Sequence, residues 1–213
     1  LNANPEYAAV CGSFSTIDSV GRAVSDLQCG AVAMEITGEL RNGVVRTTLC
    51  TYAVRTGAMR AIGGFREYFE TAEDIDMQLR LGELGRIGYV PQTFYLYRLH
   101  ASSITHRQSN TRREFFERTA HDFHRQRGTS GLDDLQRGCP PRPPEIGLSS
   151  ANTASMHIQG MLLGRAWREH NAGQKARALG TGLRALRTDP SSPTVWKSFV
   201  ALVLKPAGGK PID

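Results

Sequence analysis

The sequence predicts an α/β protein with an all-helical C-terminal end, and three observations predict it. Val10, Phe14 and Thr16 fall at even spacing within Tyr7–Ile17, the alternation of a half-buried strand. A helical pattern from Ala72 to Leu84 opens on acidic residues and stops at Gly85, beside extended runs at Ile87–Val90 and Thr93–His100. Past the proline-rich run Cys139–Pro144, only helical patterns remain.

The 213 residues, 40% hydrophobic and 22% charged, suffice for a core, and the length fits one domain plus an appendage. The chain opens at Leu1 with neither an initiator Met nor a leader-like apolar segment, so it is expected to be an internal piece of a longer protein. The best apolar run, Val195–Leu204, is broken by Lys197 and too short to span a bilayer, so no transmembrane segment is expected. Cys11, Cys29, Cys50 and Cys139 form no C-x-x-C pair, which argues against a zinc site or a disulfide scaffold and for a reduced, cytoplasmic setting. The net charge of +6 comes mostly from arginines spread along the chain rather than grouped with stacking aromatics, so nucleic acid is not an expected partner. The densest basic stretch, Arg98 to Arg142, reads as a solvated helix face, with anionic phosphates or a peripheral membrane surface met by Arg112, Arg113 and Arg118 as the sharper reading.

In chain order, the strand Tyr7–Ile17 ends in the turn Asp18-Ser19-Val20-Gly21, and a second strand is expected over Ala31–Thr37. Asn42-Gly43, between Leu40 and Val44-Val45, is a strong hairpin signal that places the next strand at Val44–Val54. Thr56 is suited to cap a short helix to Ile62, which Gly63-Gly64 terminates, with Phe65 turned toward the core. On the helix Ala72–Leu84, Ile75, Leu79 and either Met77 or Leu81 are available to pack. At the end of the last strand, Phe94, Leu96, Arg98 and His100 share one face, whereas Tyr95, Tyr97 and Leu99 share the other. A helix is expected from Thr111 to about Gln126, then a stiff linker, then helices over Met156–His170, Gln174–Arg187 and Thr194–Leu204. The expected division is 1–110, 111–150 and 151–213.

Chemistry concentrates in Gly63-Gly64-Phe65, Glu73-Asp74-Ile75-Asp76 and Tyr97-Arg98-Leu99-His100. Carboxylates in a first helical turn are favoured by the macrodipole alone, so their presence needs no function. Asp76 has Arg80 four residues on, the spacing of an intrahelical ion pair. Asp74-Ile75-Asp76 spells a metal-binding Asp-x-Asp, but it follows Glu73 inside a helix instead of closing a strand, so it is not read as one. A metal-dependent hydrolase is disfavoured because no second histidine stands at ligand spacing.

Taken together, Gly63-Gly64-Phe65, Glu73-Asp74, Leu79-Arg80-Leu81, Tyr89-Val90-Pro91 and Tyr97-Arg98-Leu99-His100-Ala101-Ser102-Ser103 resemble the acceptor side of glycosyltransferase family 2. The resemblance covers roughly residues 1–105. It implies a partial GT-A (nucleotide-diphospho-sugar transferase) fold and an inverting transfer from a nucleotide-sugar donor to an acceptor hydroxyl. Asp74 would then be the general base and Glu73 would orient it or the acceptor. Gly63, Gly64, Phe65 and Arg98 would contact acceptor or donor, and His100 would serve as a metal ligand or diphosphate donor. The resemblance further implies a divalent cation, Mg2+ or Mn2+, held mainly by a motif outside this chain, in a donor-binding half expected ahead of Leu1. Bacterial relatives of this type build surface polysaccharides, lipid-linked sugars or modified proteins, so a polysaccharide, lipid-linked or protein acceptor is implied.

Gly173, Ala178, Ala185-Leu186 and Pro190, with Trp196 after them, resemble the second half of a tetratricopeptide repeat, although Gly182 stands where that family places an aromatic. The resemblance implies a C-terminal helical hairpin that covers apolar surface, assists dimerisation or docks a protein partner. A noncatalytic helical-repeat scaffold is the alternative to the enzyme.

Overall fold

The computed structural model describes residues 1–18, 20–27, 29–99, 110–145 and 154–208. The strands are β1 (Tyr7–Ile17), β2 (Ala23–Leu27), β3 (Met34–Glu35), β4 (Ala53–Val54) and β5 (Arg86–Arg98). The helices are α1 (Thr37–Arg41), α2 (Thr56–Ala61), α3 (Glu73–Leu84), α4 (Asn110–Ser130), α5 (Ala154–Asn171), α6 (Lys175–Thr188) and α7 (Pro193–Leu204), with a 3-10 turn at Leu49–Thr51. The class is mixed α/β. The described residues fall into two compact units: one draws on Leu1–Phe14, Leu27–Leu96 and Gln108–Ser150, the other on Ser15–Asp26, Tyr97–Arg107 and Ala151–Asp213.

In the first unit β1 lies between β4 and β5, and β5 also pairs β3. The registers are antiparallel, Ala9 opposite Val54 and Met34 opposite Tyr89. Ala9, Cys11, Ile36, Leu40, Met77, Leu81, Ile87 and Tyr89 form one core between these strands and helices α1 and α3. A second cluster, Phe69, Ala72, Phe116, Ala120 and Phe123, joins α4 to the segment ahead of α3, with Tyr68 meeting Phe69 and Phe116 edge to face. Helix α3 serves both, since Met77 and Leu81 enter the first core and Ile75 packs on the aromatic cluster.

Several expectations are corrected here. The strand expected over Ala31–Thr37 shrinks to Met34–Glu35, because Thr37 ends the ladder: its Oγ1 accepts the Ile87 N–H at 2.9 Å and donates to Glu35 at 2.8 Å, and α1 begins there. Asn42-Gly43 is a helix stop and not a hairpin turn. Asn42 caps α1, Gly43 has φ 77°, and the N–H groups of Gly43 and Val44 return to the carbonyls of Leu40 and Glu39, the paired bonds of a Schellman end. A left-handed glycine serves either structure, so the dipeptide alone did not decide between them. Val44–Val54 is accordingly not a strand except at Ala53–Val54. Arg55, not Thr56, occupies the N-cap of α2. Strand β5 runs unbroken through Pro91, and the proline-rich segment is held against its own unit, where Pro141 accepts from the Tyr68 hydroxyl at 2.7 Å and Pro144 from Arg112 at 3.1 Å. Arg112 also pairs with Glu70 and Arg113 with Glu117.

In the second unit, Val24, Leu99, Leu162, Ala185, Leu186 and Val195 form the core. Thr16 Oγ1 donates to the Ser25 carbonyl at 3.2 Å and accepts its N–H at 3.1 Å, while Ser15 donates to Asp26 at 2.7 Å. Arginines 165, 168 and 184 reach the Val24 carbonyl, the Ser25 hydroxyl and the Ala23 carbonyl, so helix side chains cover the polar edge of β2. Helices α5, α6 and α7 pack on one another in sequence. Gly182 lacks the aromatic of the repeat pattern because Phe199 of α7 fills that space: a Cβ there would lie 2.9 Å from its ring.

Among the described residues no helix is long and apolar enough to cross a membrane, and all four cysteines are free. Burial pushes the Cys11 thiol up to about 12, which makes it an inert core residue.

A Cβ on Gly82 of α3 would sit 2.5 Å from Leu40 Cβ on α1, so the two helices meet through this glycine. Gly82→Ala is expected to destabilise the protein by about 1–3 kcal/mol in denaturant unfolding. Gly180→Ala on α6, where a Cβ meets nothing within 4 Å, should be neutral or stabilising by up to about 1 kcal/mol.

Candidate functional site

Helix α3 begins on a strained residue. Ala72 is a buried alanine held at φ 61°, ψ 14°, in left-handed space that costs a side-chain-bearing residue roughly 1–3 kcal/mol. Directly after it come Glu73, which is exposed, and Asp74, which is half-buried. No salt bridge reaches Asp74 among the described residues, and its Oδ1 accepts the N–H of Ile75 at 2.9 Å. Burial raises its pKa above the usual aspartate range, against the smaller opposing effect of the backbone N–H groups of Ile75 and Asp74. One turn on, Gln78 is fully buried and both amide atoms lack hydrogen-bond partners. Residues i and i+4 share a helix face, so α3 carries in succession a carboxylate with no ion pair among the described residues and a buried amide without hydrogen-bond partners. The Cys50 thiol, which the sequence reading passed over, is raised by burial and further by the charge of Asp74.

Asp76 has the opposite environment. It is wholly buried, bound through two bonds by Arg66, and bonded by Arg80 Nε at 2.9 Å, the partner its spacing predicts. Arg66 continues to Asp133 at 2.6 Å and lies over the rings of Phe69 and Phe123. Arg127 joins the same Asp133 at 2.6 Å and grips Glu83 with two bonds of 2.8 Å, and His124 meets Glu83 at 2.6 Å. Three guanidinium groups thus match three carboxylates in one connected network, buried at Asp76 and Asp133 and reaching the surface at Glu83, the arrangement in which interior charges are tolerated.

This network builds the Gly63-Gly64-Phe65 turn. Gly63 and Gly64, at φ 75° and 71°, close α2 in a second Schellman end, with N–H bonds of 3.0 Å to Arg60 and Met59. Arg80 then donates to the carbonyl of Ile62 at 2.5 Å and to that of Gly64 at 2.8 Å. Phe65 therefore lies between a residue tied to Arg80 and a residue, Arg66, tied to Asp76. Its ring is 51% exposed, which corrects the expectation that it enters the core: the pinned backbone on both sides turns it outward.

Of the predicted site residues, Gly63, Gly64, Phe65, Glu73 and Asp74 all belong to the first unit, where the contacts of Arg66 and Arg80 tie the turn to the start of α3. Arg98 belongs to the second unit, where it donates to the Asp18 carbonyl at 3.2 Å, and His100 lies outside the described residues. Among the described residues no three His, Cys, Asp or Glu side chains gather as a metal site would require. Arg66, Arg127 and Asp133 escaped the sequence reading, since Arg66 and Asp133 stand 67 residues apart, Arg127 stands 44 and 51 from Glu83 and Asp76, and the nearer pairs, Arg66–Asp76 and Arg127–Asp133, have no helical i, i+3 or i, i+4 spacing. Comparison with protein-family models, curated proteins and solved structures finds no match.

Asp76→Asn should cost about 3–5 kcal/mol in equilibrium unfolding, because it leaves two buried arginines short of charge. Acid should unfold the protein through the same network. Burial alone would raise Asp133 and Glu83, but hydrogen bonds from Arg66, the Gln136 N–H and Arg127 to the first, and from Arg127 and His124 to the second, hold both below the ordinary carboxylate range. Their contribution is complete above the unfolded-state values of about 4 and lost as pH falls through the lower folded-state values. Thermal melting followed from pH 6 downward is expected to show stability falling below about pH 4, with a flatter decline in Asp133→Asn.

Proposed function

We propose that this chain contributes the acceptor-binding part of an inverting, family 2-like glycosyltransferase of GT-A type, with Asp74 as general base. The observation that carries the reading is the contrast between two carboxylates two residues apart. Asp76 is neutralised by buried arginines and holds structure. Asp74 is half-buried, without an ion pair among the described residues and raised in pKa, at the start of a helix entered through a strained backbone. Such a carboxylate accepts a proton more readily than an exposed aspartate, as transfer from a sugar hydroxyl requires. In the proposed step the hydroxyl oxygen bonds to the anomeric carbon, the bond to the nucleoside diphosphate breaks on the opposite face, and the hydroxyl proton passes to Asp74. Phe65 offers an exposed apolar ring for the acceptor sugar, and Glu73, exposed beside Asp74, offers a carboxylate for its hydroxyls. The order of motifs from Gly63 to Ser103 supports the same reading.

The test uses the protein from its native source, wild type and Asp74→Asn, with a panel of nucleotide sugars, Mg2+ or Mn2+, and release of nucleoside diphosphate as the readout. Turnover is expected to fall roughly 100- to 10,000-fold in the variant while nucleotide binding persists. Because the base works only when ionised and its pKa is raised, the acid limb of kcat/KM should lie above the ordinary aspartate value of about 3.9. Turnover indifferent to Asp74, or none with any donor, would move the function to the helical end as a noncatalytic scaffold.

A further inference from the structure

Helix α7 is apolar on two sides. Val195 and Leu202 face the core of the second unit at 3% and 0% exposure. Trp196, Val200, Val203 and Leu204, at spacings of four, seven and eight residues, share another face and are 48%, 49%, 44% and 76% exposed. A helix apolar all round is normally covered, and a contiguous apolar stripe left in water marks an interaction surface.

Charge indicates what covers it. Residues 154–208 carry eight basic side chains (Arg165, Arg168, Lys175, Arg177, Arg184, Arg187, Lys197 and Lys205) against two acidic ones, Glu169 and Asp189. Glu169 is held by Arg165 and Thr181, and Asp189 by Ser191. Lys197 flanks the stripe and Lys205, whose ammonium lies 5.4 Å from the centroid of the Trp167 ring, follows its end; both are exposed and in no salt bridge among the described residues. Two copies joined through α7 would bring these lysines together with no carboxylate on the helix to receive them, which disfavours self-pairing.

We propose that the outward face of α7 seats this unit on an anionic lipid bilayer surface. Trp196 and the aliphatic side chains enter the boundary between headgroups and acyl chains, and Lys197 and Lys205 meet lipid phosphates, the composition of an interfacial helix. The indole N–H of Trp196 already donates to the Pro190 carbonyl at 2.8 Å, so the ring enters an apolar layer without burying an unpaired donor. Twelve residues rise about 18 Å, short of the roughly 30 Å hydrocarbon core, so the helix lies on the bilayer and does not span it. This inference is independent of the proposed catalytic activity.

The test is co-sedimentation of the 213-residue chain with phosphatidylcholine vesicles, with and without phosphatidylglycerol, together with light scattering in solution. The chain is expected to bind only the vesicles containing phosphatidylglycerol. Val200→Asp with Leu204→Asp, and separately Lys197→Glu with Lys205→Glu, should each weaken binding by about tenfold or more. Lys197→Glu alone, at an exposed position and with the contact of Lys205 on Trp167 kept, should also weaken binding and keeps the test decisive if a double variant disturbs folding. No sedimentation with either vesicle, equal binding to neutral vesicles, or full binding by either double variant would overturn the proposal. So would a dimer without vesicle binding, abolished by Val200→Asp with Leu204→Asp, which would assign the face to a second copy.

Discussion

The first unit depends on one buried charge. Asp76 is removed from water completely, a state that is tolerable only because Arg66 and Arg80 both bond to it. Each arginine then has donors to spare, and where these go determines the local architecture. Arg80 directs its own to the carbonyls of Ile62 and Gly64, which α2 leaves open at its end. Arg66 directs its own to Asp133, beyond α4, and lies against Phe69 and Phe123. One carboxylate thereby ties the glycine turn, the aromatic cluster and helix α3 into a single assembly, and the exposed ring of Phe65 is a product of that tying.

Against this well-paired network stand three features at the start of α3. Ala72 occupies left-handed backbone, Asp74 is half-buried with no ion pair among the described residues, and Gln78 buries an unpaired amide. The strained backbone of Ala72 and the unpaired amide of Gln78 each cost stability, and all three features fall within seven residues.

The second unit uses its arginines differently. Those of α5 and α6 bond the polar edge of β2, so charge covers a strand edge where no further strand pairs among the described residues. Gln159 reaches the Ala185 and Asp189 carbonyls at the end of α6, and Gly182 lets Phe199 fill the gap between α6 and α7. The helices are thereby consolidated on their inner faces, while the outer face of α7 remains apolar beside Lys197 and Lys205, which form no salt bridge among the described residues.

Local periodicity alone determined the helices α3 to α7, the strand Tyr7–Ile17, the Asp76–Arg80 pair and the glycine end of α2, because each depends on residues within a few positions of one another. It did not determine the role of Asn42-Gly43, since a left-handed glycine closes a helix or a hairpin equally well and only the bonds back to Glu39 and Leu40 select the helix. Nor did it place Phe65, whose outward ring follows from arginines anchored at Asp76 and Asp133. The separation of Asp74 from Asp76 into an unpaired and a neutralised carboxylate was likewise decided by tertiary structure. Both sit in the same acidic first turn, and what distinguishes them is which one the guanidinium groups of Arg66 and Arg80 can reach once the chain has folded.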